Sequence, residues 1–230
     1  MNDDSNWFED IWEHREEVLY PDLFGTEVEG IFPIPYSRLE AGKISDPRWG
    51  TCGVFRFAPT PARTSWLCVS SGLSNAWFDE KPDPSTVSGF GCEFILETPT
   101  KVDWPIQRLH QMMTLQIGYA LGKWGEAQPL TRNDRIPIGS PIDFATSTLT
   151  DILLAAPTHV EGALVQDSGT AIFIQVVGVS FQEVVFAKQH GSEALINRLR
   201  SQTSFPVTNP QRQCVIQSDI APQHAPNFKP

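Results

Sequence analysis

Ser70, Ser71, Gly72, Ser74 and Asn75 concentrate hydroxyl, amide and glycine groups within six positions, Ser70-Ser-Gly-Leu-Ser-Asn75. A serine on such a turn, with Gly72 free to take a positive φ, is where a nucleophile for acyl transfer would be presented. Gly72-Leu-Ser74-Asn-Ala76 departs from G-x-S-x-G at its last position, and the nearest histidine in sequence is His110. His14, His159, His190 and His224 are scattered among loops, helix ends and the tail. There is no GxxxxGK[ST], no GxGxxG after a strand and no HExxH. Cys52, Cys68, Cys92 and Cys214 show no CxxC spacing, and no Cys or His follows His110 at ligand spacing, so neither metal nor cofactor is expected. Glu93 remains as the acid of interest. It lies between Cys92 and Phe94, and a buried carboxylate must find partners. Arg56 or Arg63 on neighbouring segments could supply them, in a structural Arg to Glu93 pair rather than a catalytic site.

The elements that hold these residues follow from periodicity. Trp66-Leu-Cys-Val69 is a short apolar run that predicts a strand buried on both faces, and the serine turn after it is either an exposed binding loop or an internally satisfied corner. Gly50 to Ala58 predicts an adjacent antiparallel strand, with Val54, Arg56 and Ala58 on one side and Phe55 and Phe57 on the other. Ser88 to Thr98 alternates again, placing Cys92, Phe94 and Leu96 on one face and Glu93, Ile95 and Glu97 on the other. Trp7, Phe8, Ile11 and Trp12 predict an amphipathic helix from about Asn6 to Leu19, capped from Asp3 to Ser5 and closed by Pro21. Asp103 is expected to cap a second helix, with Ile106, Leu109, Met113 and Ile117 inward. Thr148 to Leu154 reads as a helical turn or a short strand. A hairpin spans 162–179, joined by Asp167-Ser-Gly169, and Ala171 to Val177 is suited to a central strand. Ser180 and Glu183 have capping-box spacing, and Ser192 is expected to cap a further helix.

This order of elements predicts a single α+β domain with a mixed, largely antiparallel sheet flanked by helices. Residues 1–22 are an N-terminal helix packed on the domain, 23–200 the domain itself, and 201–230 a proline-rich tail, with order around Cys214 to Ile216. The chain of 230 residues carries a formal charge of −10 and 40% hydrophobic residues. That acidity disfavours nucleic acid and suits a basic protein partner. No run of 18 apolar residues exists and the N-terminus is acidic, so a cytoplasmic protein without membrane spans is expected. Its cysteines are then reduced.

Several blocks in order resemble the suppressor-of-fused-like family. Gly53-Val-Phe-Arg-Phe-Ala-Pro-Thr60, Arg63, Trp66 and Val69-Ser-Ser-Gly-Leu-Ser-Asn75 look like its strand, arginine, tryptophan and GLS turn. Ser88 to Phe94, Trp104-Pro105, Ile138-Gly-Ser-Pro141 and Ile174-Gln-Val-Val-Gly178 look like later segments. Ala76 stands where proline is usual, and the tail has diverged. The resemblance implies a non-enzymatic, protein-binding α+β domain. Animal members clamp an extended peptide of a transcription factor with the help of a further C-terminal domain, whereas stand-alone bacterial members look like immunity proteins of polymorphic toxin systems. Trp77, Asp79, Glu80 and Asp83, on a proline-punctuated loop, are the candidate partner-binding residues, and Arg63, Trp66, Gly72 and Glu93 the fold determinants. A peptide-clamping scaffold is the alternative, followed by a hydrolase using Ser71 or Ser74.

Overall fold

The computed structural model describes residues 6–126, 128–160 and 163–216. Its elements run α1 (Trp7–His14), a π-helical turn (Arg15–Leu19), α2 (Tyr20–Phe24), β1 (Val28–Pro33), α3 (Tyr36–Ala41), β2 (Gly53–Phe57), β3 (Trp66–Ser71), β4 (Val87–Thr98), α4 (Trp104–Ala120), β5 (Arg135–Pro137), β6 (Leu149–Ala155), β7 (Ala163–Gln166), β8 (Gly169–Ser180), α5 (Phe181–His190) and α6 (Ser192–Gln202). The strands form one sheet in the order β1-β2-β3-β4-β8-β6-β5, with β7 also paired to β8. Only β4 and β8 run parallel, so the α+β architecture with a largely antiparallel sheet is what the chain adopts.

Alternation along the strands divides the core. Val54, Cys68, Cys92, Phe94 and Leu96 face α4, whose Leu109, Met112, Met113 and Ile117 are fully buried against them. Phe57, Leu67, Val69, Ile95 and Phe173 face the other way, onto Tyr20 and Phe24 of α2. Val177 and Val179, with Leu153, pack under α5 and α6. Thr148 to Leu154 resolves as the strand β6, because its partner β8 is long enough to pair β4 along one edge and both β7 and β6 along the other.

Several local expectations are corrected. The N-terminal helix does not stop at Pro21 but continues to Phe24. Tyr20 N–H reaches back to Arg15 C=O, one residue wider than an α-helical bond, and Pro21 then falls in the first turn of α2, where its missing N–H costs little. Asp103 takes the N-cap position of α4 as expected, but its carboxylate makes no capping bond and takes the Arg56 guanidinium instead, at 2.6 Å. Ser192 is the first residue of α6 rather than its cap, and its hydroxyl donates to Asn133 C=O. The Ser180–Glu183 capping box forms as expected.

The segment after α6 is well tied down as far as Ile216. Thr208 N–H donates to Glu97 C=O, and Arg212 forms a two-pronged ion pair with buried Glu183, both contacts 2.6 Å. Val215 N–H completes that site by donating to Glu183 at 2.8 Å. The expected caps at Asp3 to Ser5, and the end of the proline-rich tail from 217 on, lie outside the described residues.

Candidate functional site

The turn after β3 is built around Glu93, which is fully buried. The N–H groups of Gly72 and Ser74 donate to its Oε1 at 3.0 and 2.8 Å, Ser74 Oγ donates to the same oxygen, and Ser70 Oγ donates to Oε2. Every one of these partners is a donor, which suits an ionised carboxylate. Burial nonetheless pushes the Glu93 pKa above its ordinary value, against the opposing pull of Arg15, Ser70 and Ser74. Gly72 makes the turn possible. Its φ is +121°, and a Cβ there would fall on Cys52 Sγ.

The cation beside Glu93 is Arg15, not Arg56 or Arg63. Arg56 pairs with Glu29 and Asp103, while Arg63 donates to the carbonyl oxygens of Ser65, Phe24 and Ala58. Arg15 is wholly buried and donates to Ser71 Oγ at 2.8 Å, to Ser74 Oγ at 3.2 Å and to Asn75 Oδ1. Ser74 Oγ therefore stands between the guanidinium and the carboxylate, and no direct Arg15–Glu93 bond is needed. Tyr20 adds its hydroxyl to Ser70 C=O at 2.8 Å, and burial, then the Glu93 charge, hold its pKa far above the usual phenol range. A signal for Arg15 does exist in the sequence: it continues the stripe of Phe8, Ile11 and Trp12, three residues after the last of these.

As chemistry the arrangement is closed. Ser71 Oγ donates a hydrogen bond to Glu16 and Ser74 Oγ donates one to Glu93, and both serines are fully buried. Among the described residues no histidine joins them: His110 bonds Phe32 C=O at 2.8 Å, and His159 lies 3.7 Å from Glu97. The network ties the N-terminal helix to the sheet and gives a substrate no approach to either hydroxyl. Among the described residues no group of three or more His, Cys, Asp or Glu side chains could hold a metal ion. The cysteines are free, and burial pushes the Cys68 thiol up to about 12, which makes it inert.

Of the candidate fold determinants, Arg63, Gly72 and Glu93 are buried, and Trp66 is half-buried on β3 with Lys101 Nζ 5.4 Å from its ring centre. The candidate partner-binding residues divide. Trp77 is half-buried and anchors the base of its loop: its indole N–H donates to Gly72 C=O at 2.6 Å, and its ring contacts Phe8 and Trp49 at 5.1 and 5.2 Å between centroids. Asp79, Glu80 and Asp83 are exposed, and so is Phe78, a residue that sequence reasoning passed over. Phe78 rests on Arg48, whose guanidinium lies 5.6 Å from its ring centre. The Phe8–Trp77 contact sets this loop beside α1, where Glu9, Asp10 and Glu13 are also exposed. Exposed carboxylates thus flank an aromatic contact on both segments, with Lys81 exposed in the same loop and Arg48 donating to Trp77 C=O.

Among solved structures, the fold is similar to a chain of the Sufu–Fu complex, with a TM-score of 0.62 and 21% identity over 90% of this chain and 91% of that one. It is similar to a suppressor of fused homologue from Neisseria gonorrhoeae FA 1090, with a TM-score of 0.63 and 17% identity over 91% of this chain and 98% of that one. Drosophila Suppressor of Fused matches with a TM-score of 0.59 and 20% identity over 81% of this chain, which spans 52% of the fly chain. No curated protein matches in sequence. The family model for the suppressor of fused protein matches residues 48–213, from the turn before β2 to the segment tied to Glu183, and the chain therefore belongs to the suppressor of fused family.

Proposed function

We propose that this chain is a non-enzymatic protein-binding domain, and that it acts as an immunity protein, covering a basic toxin domain in the cytoplasm by direct contact. The observation that carries the reading is the Phe8–Trp77 contact, which sets side by side two segments that carry exposed acids, α1 and the 77–83 loop. A face of this kind attracts a cationic partner at long range and offers aromatic area at close range. Three further facts support it. The formal charge of −10 favours encounter with a basic protein, the chemistry-bearing serines are sealed, and the fold is shared with a bacterial homologue over nearly its whole length. The similar Sufu chain occurs in a complex with Fu, which supports a binding role for the fold.

Growth of cells expressing the cognate toxin tests this reading. Co-expression of the wild-type chain should restore growth. The Asp79→Lys, Glu80→Lys, Asp83→Lys triple variant, with an unchanged unfolding midpoint, should not. Rescue by both would remove the loop from the interface, and failure of the wild type with every captured partner would remove the immunity role.

A second reading, a peptide-clamping scaffold, has its own observation. Strand β1 is a sheet edge with Val28 exposed, beside an open groove floored by Ala58 and Trp66. An extended peptide could add there as a further strand. Its signature would be protection of the Val28 amide on peptide binding.

A further inference from the structure

A cavity of about 90 Å³ lies between α2, the connection from β2 to β3 and the loop after β6, its lining including Leu23, Phe24, Arg63, Ile95, Glu97 and His159. Its walls are mostly aliphatic and aromatic. Glu97 closes one end and is 1% exposed, while the half-exposed His159 ring and Leu23 stand at the mouth. Ser65 Oγ donates to Glu97 Oε2, and His159 Nε2 lies 3.7 Å from the same oxygen. Among the described residues no donor meets Glu97 Oε1, although that carboxylate is as deeply buried as Glu93.

The two acids are alike in burial and opposite in satisfaction. Glu93 has donors on both oxygens, whereas Glu97 has them on one. Burial pushes the Glu97 pKa up, with Ser65, His159 and Arg63 offsetting only part of that cost. Arg63 also lines the cavity, and its guanidinium is committed to three backbone carbonyls. A half-bonded carboxylate at the end of an apolar hole is the complement of a cation on an apolar stem.

We infer that this cavity is a binding site for a primary alkylammonium group, either a lysine side chain of a partner or a free small amine. The ammonium donates to Glu97 Oε1, and its methylenes lie against Leu23, Phe24 and Ile95. The volume corresponds to about three waters at roughly 30 Å³ each, room for an ammonium and the start of its stem. The site shares no residue with the acidic loop at 77–83, so the two stand or fall separately.

Titration of the isotopically labelled full chain with n-butylammonium, followed by amide NMR, tests the assignment. Saturable shifts are expected at Leu67, Ile95 and Glu97. The neutral isostere 1-butanol should bind at least about tenfold more weakly, as should n-butylammonium to Glu97→Gln, the loss expected for one charged hydrogen bond. The butanol comparison uses wild-type protein and stays decisive if the variant does not fold. Nα-acetyl-lysinamide separates the sources: binding comparable to butylammonium supports a partner's lysine, and binding of butylammonium alone restricts the site to free amines. No saturable shift with butylammonium, or equal binding of butanol, would overturn the assignment.

Discussion

Glu93 is the residue on which the site turns, because it keeps a carboxylate out of water with two hydroxyls and two backbone N–H groups. Truncation strands those donors beside the Arg15 guanidinium. Glu93→Ala should therefore lose about 3 kcal/mol of stability, read from the shift in denaturant midpoint at constant slope. An unchanged midpoint would show that the network contributes nothing. The sign of its pH dependence follows from burial. Because the folded-state pKa is raised, the folded chain holds a proton that the unfolded chain has released, so this group's contribution falls as pH rises from the ordinary carboxylate range to the raised value. Glu93→Gln should flatten that decline. At Gly72 the reason is steric: Gly72→Ala combines a φ of +121° with a clash on Cys52, and should cost on the order of 3 kcal/mol by chemical denaturation.

In each of two elements outside the sheet, one arginine is central to the bonds that tie it to the fold. Arg15 joins the N-terminal helix to the β3 turn, and Arg212 joins the last described segment to the capping box of α5. Burial alone would raise the Glu183 pKa, but Arg212 and the N–H groups of Val215 and Ser180 bring it below its ordinary value. That contribution is complete above the ordinary carboxylate range and is lost as pH falls through the folded pKa. Arg212→Ala should cost about 3 kcal/mol, flatten the acid limb of the stability curve and raise amide exchange across 203–216 selectively. Much of the element map was legible, because alternation at Cys92 to Glu97 and the Ser180–Glu183 spacing are local patterns with local causes. The partners of Glu93 were not. Arg56 and Arg63 are close in sequence, yet register sends Arg56 to Glu29 on β1, and the turn folds Arg63 onto its own carbonyls. Arg15 reaches the site from 78 positions away, through a helix that the π turn carries past Pro21.

Across the whole molecule, an excess of ten negative charges meets a surface that is not uniform. The Phe8–Trp77 and Trp49–Trp77 contacts bring α1 and the 77–83 loop together, and the exposed acids on both segments are the basis of the proposed binding face. Trp77 works from beneath, so Trp77→Ala should weaken both stability and partner affinity, while charge reversal above it should weaken affinity alone. The fold class was readable because it follows from element order; the Phe8–Trp77 contact was not, since its two residues lie some 70 positions apart. The first measurement to make is quantitative capture from the lysate of the source organism, with wild-type chain and the Asp79→Lys, Glu80→Lys, Asp83→Lys variant as parallel baits at low and raised salt. One dominant basic partner, retained by the wild type, released by salt and absent from the variant, is the expected outcome. A partner held equally by both baits and insensitive to salt would contradict the acidic face as the binding surface.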